Sequence, residues 1–238
     1  MKGFKNVKAL ADGKIIRTDI AFDNGVITAI GRDLPITEEV TVGKDCLVCP
    51  GFIDEHIHGA AGSDGMDGSA EAIEKIAKAI AKEGTTAFLV TTMTQKKENI
   101  VNALSAVKEY MEDRHEDGAC VLGVHLEGPF ISKKHVGAQP IEYVQKPSVE
   151  TFAEYEKASG GHIKIVSLAP EEEDAEELVS YLAAKGIVAS AGHTDAKHAD
   201  IEKAMKAGLT NVTHTYNAQT PLHHREIGVV GSALAEDG

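Results

Sequence analysis

The chain is poor in positive charge, poor in cysteine, and empty of long apolar runs. With 24 basic against 37 acidic residues its formal charge is −13. That balance excludes a broad phosphate-backbone or anionic-membrane partner, both of which call for a basic surface. Small anionic ligands remain open, because a local site can hold them. The three cysteines, Cys46, Cys49 and Cys120, are too few for a disulfide framework. The C-x-x-C spacing at 46–49 has no second pair to complete a structural zinc site, so all three read as buried, reduced thiols. No stretch approaches the ~20 apolar residues of a membrane span, and the opening MKGFKNVKALADGK has no uninterrupted apolar segment. A cytoplasmic protein is the expectation.

What is present changes character near residue 50. Residues 1–50 carry short β-branched segments, KIIRTDIAF and GVITAIG, joined at Asp23-Asn24-Gly25, a tight-turn sequence. This predicts a small β unit closed by LVCPGF. From residue 51 to 238, apolar runs alternate with helical stretches, which implies parallel strands with crossover helices. The strand candidates are GFIDEHIH, TTAFLVTT, CVLGVHLE, IKIVSLA, IVASAGH and TNVTHTY. Helical spacing of Ile73, Ile76, Ala77 and Ile80, then of Ile100, Leu104 and Val107, and later of Ile201, Ala204 and Met205, fills the gaps. The acidic run at 171–177 reads as a solvated first helical turn without a functional role. Six strand-helix steps predict an α/β fold of TIM-like (β/α) barrel type, with a site at the C-terminal strand ends. Residues 51–238 fall short of the ~250 residues of a typical complete barrel, so about six of eight strands are expected, with open edges and apolar faces.

Those strand ends carry the chemistry. The first run, read as a core strand, finishes at His56 and His58, two residues apart and so on one face. Alone, such an H-x-H is as well explained by two satisfied histidines. The third run ends at Glu127, the fifth at His193 and the sixth at His214. Core histidines have no reason to recur on one rim, so the recurrence favours a metal centre. Four imidazoles and a carboxylate suit zinc or ferrous iron, and Glu127 can bridge two ions. His125 faces the same way but lies further from the strand end, and reads as a supporting or core residue.

The stretches PGFIDEHIHG, HLEGPFIS, GHTDA and THTYNAQTPLHHREIGVVGSAL resemble the N-acetylglucosamine-6-phosphate deacetylases of the amidohydrolase superfamily. The resemblance implies a (β/α)8 barrel accompanied by a small β-sandwich, to which residues 1–50 would contribute. It implies His56, His58, Glu127, His193 and His214 as ligands of one or two divalent ions, zinc or iron. The glutamate after the third strand, with a fourth strand ending Ser167-Leu168-Ala169, fits this branch better than relatives that use a carboxylated lysine. Asn217, the Ala218 backbone and Arg225 are implied as contacts to a small sugar phosphate. In the loop Gly137-Ala138-Gln139, Gln139 sits beside the reacting group, positioning it without titrating.

The implied reaction is hydrolysis of an N-acetyl group from N-acetylglucosamine 6-phosphate, by a homo-oligomer such as a homodimer. Hydrolysis of another amide, cyclic or in a nucleobase, and metal or sugar-phosphate binding without catalysis are the alternatives. The family's proton-transferring aspartate closes an eighth strand and is expected beyond residue 238. Asp195, at a helix start, reads as an N-terminal cap, and Asp237 as a frayed end. The glycine-rich segment 60–69 reads as a flexible loop on the site's rim.

Overall fold

The structure, a computed structural model, describes residues 1–113 and 117–236; Asp237 lies outside them. The chain divides into two compact units, Met1–Gly51 and Phe52–Gly238.

In the first unit, β1 (Lys2–Ala11), β2 (Lys14–Asp23) and β3 (Val26–Gly31) form an antiparallel meander. Two short strands, β4 (Glu38–Glu39) and β5 (Leu47–Val48), add to β1 in parallel. The β2–β3 hairpin turns at Asn24 and Gly25 with φ of 48° and 77°. Positive φ at both central positions is what a two-residue hairpin needs, and Asn-Gly supplies it without strain. Val7, Ala9 and Ile20 form the buried centre. The long strand β1 has no clean alternation in KGFKNVKALA and is not foreseen from the sequence. Its pairing with β2 shifts register between Phe4 and Val7.

The second unit is built on six parallel strands, β6 (Phe52–Ile57), β9 (Thr85–Thr91), β10 (Cys120–Glu127), β11 (Ile163–Leu168), β12 (Val188–Ala191) and β13 (Leu209–Val212). They form an open barrel sheet in the order β13, β12, β11, β10, β9, β6. All six match the runs named above. Crossovers run through α1 (Ala70–Ala81), α2 (Lys97–Glu112), α3 (Val149–Ala158), α4 (Ala175–Ala184) and α5 (His198–Ala207), and α6 (Gly228–Ala235) follows β13. The amphipathic stripes set the packing: α1 begins where Ser69 caps the Ala72 amide at 3.2 Å and buries Ile73, Ile76, Ala77 and Ile80. Between sheet and helices lie Phe88, Leu126, Phe130, Phe152, Tyr155 and Leu168. Each such side chain contributes roughly 1.5–3 kcal/mol by leaving water.

Four expectations need correction. β6 is an edge strand rather than a core strand: it pairs only with β9 among the described residues, and Phe52 and Ile53 are 67% and 65% exposed. The cysteines are exposed rather than buried, because Cys46 and Cys49 flank the two-residue strand β5 and Cys120 opens β10 at its outer end. Segment 60–69 is folded: β7 (Gly59–Ala60) and β8 (Ser63–Asp64) form a hairpin, and a 3-10 turn at Gly65–Asp67 is closed by a capping box from Asp64. The acidic run does not simply extend α4 into water. The helix starts at Ala175, and Glu171 turns back to accept from the Thr194 hydroxyl and the Asp195 amide.

Candidate metal centre

The parallel sheet brings every strand's C-terminal end to one rim, and five of the predicted site residues meet there. Glu127, the last residue of β10, is 1% exposed. Its Oε2 faces the first pair, lying 3.0 Å from His58 Nε2 and 3.9 Å from His56 Nε2. Its Oε1 faces the second, at 3.0 Å from His193 Nε2 and 2.9 Å from His214 Nε2. His193 and His214 follow β12 and β13 with φ of 50° and 35°. The left-handed region costs a β-carbon residue strain, and here it turns both rings inward.

The outer nitrogens show what the inner ones offer. His193 Nδ1 donates to the His135 carbonyl at 2.8 Å, and His214 Nδ1 to the Asn217 carbonyl at 3.1 Å. Carbonyls only accept, so in each neutral ring the lone pair is on Nε2. Those two lone pairs stand 3.2 Å apart, both directed at a carboxylate oxygen. Three acceptors facing one another need a cation or protons among them. A tetrahedral ion with ligands at about 2.0–2.1 Å separates them by about 3.3 Å, close to the observed spacings. The donor set therefore fits a metal on both sides of Glu127: His56, His58 and Glu127 form one group, and Glu127, His193 and His214 a second. The Nδ1 atoms of His56 and His58 are buried and find no hydrogen-bond partner among the described residues.

Charge follows the same geometry. Burial opposes ionisation of Glu127, yet the bonds from His193, His214 and His58 outweigh it and hold the carboxyl far below the usual range. The bond to Glu127 raises His58 and His214, whereas burial lowers His56. His125 behaves as a supporting residue: it is 3% exposed, bound to the Glu55 carbonyl and Ser167 Oγ, and pushed down to about 4 by burial.

The loop at 135–139 closes over this rim. Gly137 has φ 58°, and a Cβ there would lie 3.4 Å from His193 Cε1. Ala138 is exposed beside it and Gln139 is buried. Gln139 Oε1 accepts from the Thr94 amide at 2.6 Å, which turns its NH2 toward His193 Nε2, 3.5 Å away. Gln139 thus presents a donor to the centre. Gly128 makes room for this: it has φ 69°, and a Cβ would meet Thr94 Oγ1 at 2.1 Å. Asn217 and Ala218 lie on the loop after His214. Asn217 N–H donates to the His214 carbonyl at 2.9 Å, and the Ala218 carbonyl accepts from Thr194 N–H at 3.1 Å. Arg225 is exposed, with Nε donating to His224 Nε2 at 3.2 Å, and is not drawn into the cluster.

Asp195 caps no helix. It pairs with Lys134 and, at 3.1 Å, with His135, while α5 begins at His198 behind Lys197. Glu171, His135 and Thr94 escaped sequence reasoning because the Glu171 carboxylate, the His135 carbonyl and the Thr94 amide each bond to a residue far away in sequence, for which spacing carries no signal.

An amidohydrolase family model matches residues 47–235. This chain belongs to the amidohydrolase family. Amidohydrolases are metal-dependent, and this member brings together groups able to hold a metal. It is 42% identical over 240 residues to N-acetylglucosamine-6-phosphate deacetylase of Bacillus subtilis (strain 168), covering 98% of this chain and 61% of that one. It is 36% identical over 213 residues to N-acetylgalactosamine-6-phosphate deacetylase of Escherichia coli O157:H7, covering 90% and 55%. The crystal structure of N-acetylglucosamine-6-phosphate deacetylase from Thermotoga maritima superposes with a TM-score of 0.85 at 31% identity, covering 99% of this chain and 60% of that one. The chain thus spans about three-fifths of the length of these deacetylases. Among the described residues no helix is long and apolar enough to cross a membrane.

Proposed function

We propose that this amidohydrolase removes the acetyl group from N-acetylglucosamine 6-phosphate, giving glucosamine 6-phosphate and acetate in amino-sugar breakdown. The observation that carries the reading is a cluster of two histidine pairs divided by Glu127, in a chain that aligns with deacetylase relatives over nearly its whole length. His56 and His58 would hold one divalent ion with Glu127 Oε2, and His193 and His214 a second with Oε1, zinc or iron suiting the nitrogen-rich set. An ion held there acidifies water and polarises an amide carbonyl.

The chain's own groups do the rest. Glu127, kept ionised, neutralises charge between the histidine pairs. His135 and Asn217 carbonyls lock His193 and His214 in the tautomer that offers Nε2. Gln139, its amide turned by Thr94, is placed to donate a hydrogen bond to the oxygen on which negative charge develops. Arg225, exposed and next to two histidines, offers a planar fork of donors to the phosphate, with Asn217 and Ala218 contacting the sugar and Ala138 lining the acetyl side. Asp195, engaged with Lys134 and His135, is not assigned the proton transfer. The unit Met1–Gly51 fits a portion of the family's small β-sandwich, and assembly as a homodimer rests on the resemblance alone.

The E. coli relative's name makes the galactosamine epimer a second substrate to try. The test is acetate release by the zinc-loaded protein from each N-acetylhexosamine 6-phosphate and from unphosphorylated N-acetylglucosamine. The reading expects release from a phosphorylated sugar and little from the free one. Release from a cyclic amide in preference to both would overturn it.

A further inference from the structure

Beneath the cluster, four buried polar side chains from neighbouring strands form a continuous line. His125 Nδ1 lies 2.9 Å from the Glu55 carbonyl and its Nε2 2.7 Å from Ser167 Oγ. Ser167 Oγ is 2.5 Å from Thr213 Oγ1, which is 2.7 Å from Ser190 Oγ. All four residues are at most 5% exposed.

The direction of this line follows from proton counting. The Glu55 carbonyl only accepts, so His125 carries its proton on Nδ1, and the neutral ring accepts at Nε2. Ser167 must then donate to His125. Its one proton being spent, Thr213 donates to Ser167, and Ser190 to Thr213.

We propose that this one-way hydrogen-bonded line is a positioning device for the metal-holding rim. It begins beside Thr213, the residue before His214, and ends at Glu55, the residue before His56. Just before that end it passes through His125, two residues before Glu127 on the same face of β10. The His125 ring also stands edge-on to His56, with centroids 4.9 Å apart and planes at 87°. Gly192, the residue before His193, packs so closely on Thr213 that a Cβ would meet the Thr213 Cβ at 2.9 Å. One polar line therefore reaches the backbone beside His56, His193 and His214, stands two residues from Glu127, and sets the separation of the two histidine pairs. Apolar side chains would fill the same space with no desolvation cost, and they could not fix the register of five strand ends through directed bonds. Ser167, Thr213 and His125 are accordingly positioning residues. The inference rests on the proposed metal centre.

The test compares the metal-free wild-type chain with Thr213→Val, which keeps the shape and removes the hydroxyl, Thr213→Ser, which restores it, and Ser190→Ala. Cobalt(II) titration followed by visible absorption reads affinity and ligand geometry together. Thr213→Val is expected to bind about tenfold more weakly or worse, with altered band intensities. Thr213→Ser should recover both, and Ser190→Ala should lose less, since Thr213 keeps its own proton to donate. A Thr213→Val protein with wild-type affinity and spectrum, or Val and Ser variants that behave alike, overturns the positioning role and leaves the metal centre standing. A wild-type chain that binds no cobalt overturns both. Nitrogen NMR of the metal-free protein tests the direction independently: His125 protonated on Nδ1 supports it, and protonation on Nε2 refutes it.

Discussion

Replacing Glu127 by glutamine keeps the shape of the central side chain and removes its charge. The amide has one acceptor and one donor end, so it can face only one histidine pair with an oxygen. The other pair meets an NH2 group where Oε1 or Oε2 now lies within 3.0 Å of an imidazole nitrogen. One half of the centre loses its anionic ligand outright and the other retains a neutral one. At a zinc concentration 1,000 times the wild-type Kd, binding stabilises the native state by about 4.1 kcal/mol. For a chain of this size each kcal/mol is worth ~2–4 °C in Tm, so zinc should raise the wild-type midpoint by roughly 8–16 °C. A hundredfold weaker site forfeits about 2.7 kcal/mol of that, leaving the variant a shift of only about 3–6 °C. Thermal unfolding with zinc and with chelator, for both proteins, is the assay. A Glu127→Gln protein with the full wild-type zinc shift would refute the shared-carboxylate geometry.

Further expectations follow from the surroundings of the cluster. In the metal-free protein His58 and His214 are held above the ordinary histidine value; stability they add below pH ~6.5 is lost as pH rises through their folded values. His125, held near 4, works oppositely: its contribution is present above pH ~6.5 and fades as pH falls toward 4. Metal-free Tm should therefore peak near pH 6.5, whereas the zinc-induced shift should keep growing up to pH 8, since binding displaces protons; a zinc shift that is flat with pH contradicts this. Gly128→Ala drives a methyl group against Thr94 Oγ1 in the left-handed region and should cost at least about 1–3 kcal/mol by denaturant unfolding; an unchanged midpoint would show that the 92–94 turn yields. Glu171→Ala strips two acceptor bonds from the loop after His193 and should destabilise by about 1–3 kcal/mol while weakening zinc binding; unchanged zinc affinity would confine Glu171 to stability. Phe152→Ala, on α3 and fully buried between the sheet and its helices, should cost about 3–5 kcal/mol with zinc affinity preserved.

The barrel strands were legible because each apolar run is bounded by a helical stripe, and the rim histidines because each stands at the end of such a run. The first strand was not, since KGFKNVKALA mixes exposed and buried positions with a register shift. β6 looked central because PGFIDEHIHG is apolar, but sheet position depends on which partners the strand finds. The orientation of Gln139, the return of Glu171 to Thr194 and Asp195, and the pairing of Asp195 with His135 all join residues 23 to 60 positions apart. Only the folded rim brings such groups together.

Under the proposed function, the rim of this chain holds divalent metal between two histidine pairs that share Glu127. Native mass spectrometry of the zinc-equilibrated protein tests it most directly. The wild-type mass should rise by two zinc ions and the His58→Asn mass by at most one. A wild-type mass that zinc leaves unchanged would contradict it.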